Sequence, residues 1–134
     1  AAKTTVTVGE TGMDISKEAI KATAGISRKI PQSVLRLMTL GKFRSDQGEH
    51  KSAIKAYKEA VKADKKNPWP YVMLADAYEK NGQLRKASES LIQAIKLDPD
   101  IPQAHQMLAG VYTEMGQAGK AQEHLRTFQA LSKS

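Results

Sequence analysis

Hydrophobic and small residues recur along this chain at helical spacing, and the pattern repeats every 34 residues. Two sets of small residues keep this register: Gly48, Gly82 and Gly116, and Ala53, Ala87 and Ala121. Each unit contains two amphipathic stretches separated by its glycine. The pattern predicts first helices over 34–47, 69–81 and 103–115, and second helices over 50–64, 84–97 and 118–131.

The residue types at fixed positions explain the period. A glycine after the first helix can adopt the left-handed backbone conformation that commonly ends helices. Small residues let two helix axes approach closely, and the first helices place Gly41, Ala75 and Ala109 at one repeat position. Larger side chains, such as Leu74 and Leu91, fill the space around that contact. The sequence therefore predicts a stack of helix-turn-helix units.

The second unit carries the most complete motif. Its members are Tyr71, Leu74, Ala75 and Tyr78 on the first helix, Ala87, Leu91 and Ala94 on the second, and Pro99 after it. In residue type and spacing this motif resembles the tetratricopeptide repeat consensus. The third unit keeps most of it, and the first keeps less, with Arg44 for the usual tyrosine and Lys65 for the proline. The resemblance covers residues 34–134 and implies an all-α fold, a right-handed α-solenoid of about seven helices.

The chain before the first full unit fits the repeat less well. Moving back one period aligns Ala19 with Ala53 and Pro31 with Pro99, which predicts a helix over Met13–Ile30. We expect a flexible N-terminal arm over 1–12, a degenerate half-repeat over 13–33, and three tetratricopeptide-like repeats over 34–67, 68–101 and 102–134.

The composition indicates a globular protein, with 40% of the 134 residues hydrophobic, 5% aromatic and 26% charged. The chain has no cysteine, which excludes a disulfide framework, a thiolate nucleophile and a cysteine zinc site. No apolar run approaches the roughly 18 residues of a membrane span. The first residues, Ala1-Ala2-Lys3, fit either an artificial end of the chain or a processed mature end, and only the second suggests a bacterial extracytoplasmic or membrane-associated location.

The sequence shows no arrangement typical of catalysis. His105 falls at a repeat position that packs between helices, and His50 and His124 are predicted on the solvent side of second helices. Glu123 and His124 are adjacent and do not share a helix face, so no metal site is expected there. Phosphate-binding glycine loops, nucleophile elbows and zinc-binding histidine pairs are absent from the sequence. We expect a protein that is not an enzyme and binds no cofactor or metal.

The net charge of +7 comes from 21 Lys and Arg against 14 Asp and Glu, and most of the excess lies in residues 34–67. Four lysines there share one helix face, which we call the lysine stripe: Lys51, Lys55, Lys58 and Lys62. The stripe is either a solvated outer face or a docking patch for an anionic membrane surface, nucleic acid or an acidic protein. Nucleic acid is disfavoured because no aromatic or arginine side chain lies among the lysines.

The resemblance implies that the first helices line a concave groove. Eight residues are predicted to form a peptide-binding surface there: Leu35, Met38, Lys42, Trp69, Val72, Asp76, Gln103 and Gln106. Trp69 is either an exposed anchor for a partner side chain or packs against Pro68 and Pro70. One subfamily grips chaperone C-termini with a lysine/asparagine clamp on these helices. The corresponding residues here are Met38, Lys42, Met73, Gln103 and Met107, so the clamp is not supported.

The last helix departs from the repeat. The position of Ala60 and Ala94 is occupied by Phe128, a bulky side chain where a following helix would pack. Phe128 either caps the end of the stack or joins Leu125 and Leu131 in an exposed oligomer face.

These observations favour a non-catalytic adaptor that binds a peptide segment of a partner protein in the concave groove. One alternative is a structural scaffold that self-associates or joins a larger assembly through its terminal faces. A second alternative is anion or nucleic-acid docking through the lysine stripe.

Overall fold

The computed structural model describes residues 30–133, and this part of the chain contains six helices and no strand. They are α1 (Gln32–Asp46), α2 (His50–Ala63), α3 (Pro68–Lys80), α4 (Leu84–Leu97), α5 (Pro102–Glu114) and α6 (Ala118–Ser132). Each begins and ends within two residues of its predicted bounds, and the all-α solenoid is confirmed. The predicted arm over 1–12 and residues 13–29 of the predicted half-repeat lie outside the described residues. None of the six helices is long and apolar enough to cross a membrane.

A glycine turn ends each first helix. The three glycines Gly48, Gly82 and Gly116 have φ angles of 80°, 80° and 78°, which a residue without a Cβ adopts readily. After α1, the N–H of Gly48 donates to the carbonyl of Ser45 at 2.9 Å, and the N–H of Glu49 donates to that of Arg44 at 2.9 Å. These two bonds form a Schellman motif, which satisfies the last carbonyls of α1 and turns the chain toward α2.

The core runs continuously through the three units. Tyr57, Leu91 and Leu108 are among its largest fully buried side chains. The alanines at the predicted small positions are buried, and Ala53 and Ala75 are completely so, as the close approach of neighbouring helices requires.

Contacts between helices place the first and second helices on opposite sides of the stack. α1 contacts α3 and α3 contacts α5, so the first helices form a continuous layer. Within residues 30–133, the second helices α2, α4 and α6 contact only first helices. Because neighbouring units are closer in the layer of first helices, the stack curves with α1, α3 and α5 on its concave side.

Candidate peptide-binding groove

The accessible residues of α3 lie along one face of the helix. α3 is flanked by α1 and α5 and backed by α2 and α4, so its accessible side chains open to the concave side. Four of them are exposed or half-buried and are spaced four, three and four residues apart: Trp69, Met73, Asp76 and Lys80. These side chains form the floor of a groove.

The neighbouring first helices extend this surface. Leu35 on α1 and Gln103 on α5 occupy the repeat position of Trp69, and both are exposed. Lys42 occupies the position of Asp76 and is also exposed. Met38 is half-buried, and Gln106, at the equivalent position of α5, is exposed. We define the groove as the accessible concave face of α1, α3 and α5.

Val72 is the one predicted groove residue that the structure removes from the surface. It is only 4% exposed and belongs to the core cluster. Val72 is buried because α3 is the middle of the three first helices and is covered on both flanks. The equivalent residues Met38 and Gln106 lie on the two outer helices of the layer and stay accessible. The next residue, Met73, provides the accessible apolar contact on α3.

Trp69 is held at the N-terminal end of α3 with its side chain 40% exposed. Its backbone N–H donates a hydrogen bond of 3.0 Å to Oδ1 of Asn67, the buried N-cap residue of the helix. Pro68, at the first helical position, suits a helix start because a proline lacks the N–H that would remain unpaired there. The helix start therefore fixes the position of the only tryptophan in the chain at the edge of the groove.

Charged residues gather toward the C-terminal ends of the first helices. Nζ of Lys42 lies 2.9 Å from Oδ1 of Asp46, and Nζ of Lys80 lies 3.1 Å from Oδ2 of Asp76. Both pairs join residues one helical turn apart. The hydrogen bond and charge of Asp46 raise the pKa of Lys42, and the charge of Asp76 on the neighbouring helix adds to this effect. Lys42 and Lys80 are therefore each paired with a carboxylate of their own helix.

Glu79 on α3 and Glu114 on α5 form a carboxyl pair across the two helices. Partial burial raises the pKa of Glu79 to about 7, and the hydrogen bond with Glu114 and the charges of Glu114 and Asp76 act in the same direction. Lys80 opposes the shift. Because a hydrogen bond between two carboxyl groups requires a proton on one of them, the pair favours the protonated form of Glu79. The repeat pattern assigns Glu79 and Glu114 to different units and does not reveal that they meet.

The structure corrects the predicted exposure of His124. His124 is half-buried, and its Nδ1 lies 3.1 Å from Nδ1 of His105, with the two rings stacked at 5.3 Å. Nε2 of the buried His105 lies 2.8 Å from the carbonyl oxygen of Pro99. Because a carbonyl only accepts, His105 carries its proton on Nε2, and His124 donates from Nδ1 when both rings are neutral. This pair connects α5, α6 and the turn before α5.

The other predicted surfaces lie outside the groove. The lysine stripe is exposed on α2 and lines a shallow depression of about 410 Å³ on the convex side. At the end of α6, Leu125 is 38% exposed, whereas Phe128 and Leu131 are half-buried. Within residues 30–133, no group of three or more His, Asp or Glu residues is arranged to hold a metal ion.

A stack of helix-turn-helix units with an open concave face defines a helical-repeat domain. Residues 45–105 match the family model described as the tetratricopeptide repeat. The matched stretch and the fold are those of a tetratricopeptide-repeat protein.

Proteins of known sequence or structure resemble parts of this chain. It is 40% identical over 53 residues to cellulose synthase operon protein C of Pseudomonas fluorescens (strain SBW25). That match covers 40% of this chain and only 4% of the length of that relative. The second tetratricopeptide domain of Spaghetti (RPAP3), solved bound to the HSP90 peptide SRMEEVD, is 25% identical with a TM-score of 0.72. The match covers 75% of this chain and 93% of that one.

A further structural likeness is to the Yersinia enterocolitica type III secretion chaperone SycD, solved in complex with a peptide of the translocator YopD. The TM-score is 0.71 at 20% identity, over 78% of this chain and 80% of that one. At this identity the likeness shows the fold alone.

Proposed function

We propose that this domain is a non-catalytic adaptor that binds a peptide segment of a partner protein in the groove. The observation that carries the proposal is the accessible face of α1, α3 and α5, which combines exposed apolar side chains with polar ones. Leu35, 46% exposed, and Trp69, 40% exposed, are the two large apolar side chains most exposed on that face. Exposed aromatic side chains on a rigid scaffold are typical anchors in protein interfaces.

The polar residues of the groove suit an extended peptide. Gln103 and Gln106 are exposed on α5, and their amide groups can both donate and accept hydrogen bonds to a peptide backbone. The Spaghetti domain and SycD were both solved with peptides, which supports this mode of binding for the class. The HSP90 peptide itself is not carried over to this chain, because the only basic residue at the clamp positions, Lys42, is already paired with Asp46.

Selection from a random peptide library tests the proposal directly. The immobilised protein would be offered random short peptides displayed on phage, and the enriched sequences would be synthesised and measured by calorimetry. We expect enriched peptides to lose about tenfold or more in affinity when Trp69→Ala and Gln106→Ala are combined. A convex-face variant, Arg85→Ala, should bind like the parent protein. If no peptide is enriched, or if the double groove variant binds as well as the parent, the groove is not the binding site.

Apolar side chains exposed at the two ends of the described stack, residues 30–133, favour a second candidate function, self-association with a second copy of the chain. Phe43 on α1 is 57% exposed, whereas the equivalent residues Ala77 and Val111 are fully buried. At the other end Leu125 is exposed, whereas the equivalent Leu91 is buried. Inside the chain each second helix contacts the first helix of the next unit, so α6 of one copy could pack on α1 of another and extend the stack.

Sedimentation at increasing protein concentration tests the second candidate. We expect a rising mass that Phe43→Glu and Phe128→Glu each abolish, with Lys58→Glu on the convex side as the control. A mass that stays monomeric at all concentrations excludes self-association through these ends.

A further inference from the structure

We propose that the groove selects peptide segments that combine apolar residues with lysine or arginine. The apolar side chains would lie at the N-terminal ends of α1 and α3, and the basic side chains at the C-terminal ends of α3 and α5. This inference rests on the proposed function and specifies the chemistry of the partner.

Charge is divided between the two sides of the stack. The second helices α2, α4 and α6 carry nine Lys and Arg residues against three Glu residues. In contrast, α3 and α5 carry three carboxylates, Asp76, Glu79 and Glu114, against one lysine, Lys80. The basic excess of the chain is therefore absent from α3 and α5, and these two helices present an acidic surface to a partner, whereas α1 carries Arg36, Lys42 and Arg44 against Asp46.

The carboxyl pair of Glu79 and Glu114 gives this acidic surface a defined centre. Asp76 is neutralised by Lys80 and Asp46 by Lys42. Within residues 30–133, neither Glu79 nor Glu114 forms an ion pair, and each has the other as its carboxyl neighbour. Two carboxylates in contact repel each other unless a proton or another cation lies between them. A guanidinium or ammonium group from a partner would take that place and form charge-assisted hydrogen bonds to both.

The partial charges at the C-terminal ends of the first helices also favour a basic partner. Since the first helices run parallel, the C-terminal ends of α1, α3 and α5 lie along one edge of the groove. Each helix end carries a partial negative charge, which favours cations. The last turn of α5 contains no basic residue to offset it. An acidic peptide would therefore meet repulsion at the edge where a basic one is attracted.

The apolar part of the groove lies at the opposite edge. Leu35 and Met38 on α1 and Trp69 and Met73 on α3 are all at least partly accessible. Methionine side chains adapt to varied partners, and tryptophan offers a large rigid surface. From Trp69 and Met73 to Glu79, the helical rise gives a separation of roughly 9–15 Å. An extended segment spans that distance in about three to five residues, so we expect basic and apolar residues at that spacing in the partner.

The composition of peptides selected from the random phage library tests the inference. The baits are the parent protein, Glu79→Gln/Glu114→Gln, which removes the negative charges with little change of shape, and Glu89→Gln, a matched neutralisation on the convex side of α4. We expect the parent and Glu89→Gln to enrich peptides with an excess of lysine and arginine. The double groove variant should lose that excess and should bind the parent-selected peptides about threefold to tenfold more weakly. Salt should weaken binding to the parent more than to the double variant.

The outcomes separate the inference from the function on which it rests. Enriched peptides that depend on Trp69 but carry no basic excess, or an acidic one, overturn the inference and leave the groove as the binding site. Equal enrichment of basic peptides by the parent and by Glu79→Gln/Glu114→Gln also overturns it. The absence of any peptide that depends on Trp69 and Gln106 overturns the proposed function, and the inference with it.

Discussion

The ring of Tyr57 packs directly against the backbone of Gly41, so that α2 meets α1 where α1 has no side chain. A Cβ at Gly41 would lie 2.7 Å from Cδ1 and from Cζ of Tyr57, closer than van der Waals contact allows. The other two units use a different combination at the same positions, Ala75 with Leu91 and Ala109 with Leu125. The first unit thus pairs a large ring with glycine, whereas the other two pair leucine with alanine.

This contact predicts the effect of substituting Gly41. Alanine favours the interior of a helix by about 1 kcal/mol over glycine, but overpacking of a closed core typically costs about 1–3 kcal/mol. Because the Tyr57 ring is almost fully buried and has little room to shift, we expect Gly41→Ala to lower the free energy of unfolding in urea denaturation.

The double variant Gly41→Ala/Tyr57→Leu provides the control, because it reproduces the pairing of Ala75 with Leu91. In the Tyr57→Leu background, Gly41→Ala should be neutral or stabilising. A stabilising effect of Gly41→Ala in the parent chain would show that the ring moves freely and that the contact does not constrain α1.

Much of the fold follows from the sequence because its determinants are local and repeated. Gly48 and its equivalents mark the helix ends, and the small positions mark the helix contacts, so a shift of 34 residues locates the six helices of residues 30–133. The residues of the groove are predicted less completely from the sequence. The adjacent apolar residues Val72 and Met73 fit the pattern equally well, and only the neighbours on both flanks of α3 decide which one is buried.

Contacts between side chains on different helices could not be predicted from the sequence pattern. His105 and His124 are 19 residues apart, and Glu79 and Glu114 belong to different units. Each pair depends on the angle and distance between two helices, which the repeat fixes only approximately. The periodic pattern assigns each residue to a face of its own helix and does not specify which residue it meets on the next.

The N-cap of α3 links the stability of the domain to the position of Trp69. Replacement of Asn67 by alanine removes the acceptor for the N–H of Trp69 and should lower the free energy of unfolding by about 1 kcal/mol. Asn67→Ser retains a capping oxygen and should recover most of that loss. Urea denaturation of the two variants measures the difference, and equal stabilities would contradict a role for the cap. We also expect Asn67→Ala to weaken binding of peptides that depend on Trp69.

The pair of His105 and His124 predicts a loss of stability in acid. Burial and the charge of His105 lower the pKa of His124 below its ordinary value of 6.5, although Glu123 opposes the shift. Below about pH 6.5 the unfolded chain therefore binds a proton that the folded chain resists, and the free energy of unfolding falls as the pH falls. His124→Asn keeps a donor at the place of Nδ1 but does not titrate, so its midpoint in urea should depend less on pH. His50→Asn leaves the pair intact and should retain the acid dependence of the parent.

The carboxyl pair of Glu79 and Glu114 predicts the opposite trend, a loss of stability as the pH rises. The pKa of Glu79 is raised from 4.5 to about 7 in the folded protein, first by burial and then by Glu114. Between these two values the folded chain holds a proton that the unfolded chain has released, so this contribution to stability is complete below about pH 4.5 and is lost as the pH rises through 7. Glu79→Gln retains a donor toward Glu114 without the charge. We expect Glu79→Gln to raise the Tm at about pH 8 and to leave it nearly unchanged at about pH 4.

The control variant, Glu89→Gln, removes an exposed carboxylate that pairs with Arg85 at 3.4 Å and should change stability by less than about 1 kcal/mol at either pH. If Glu79→Gln has the same effect at both values of pH, the two carboxyl groups do not share a proton.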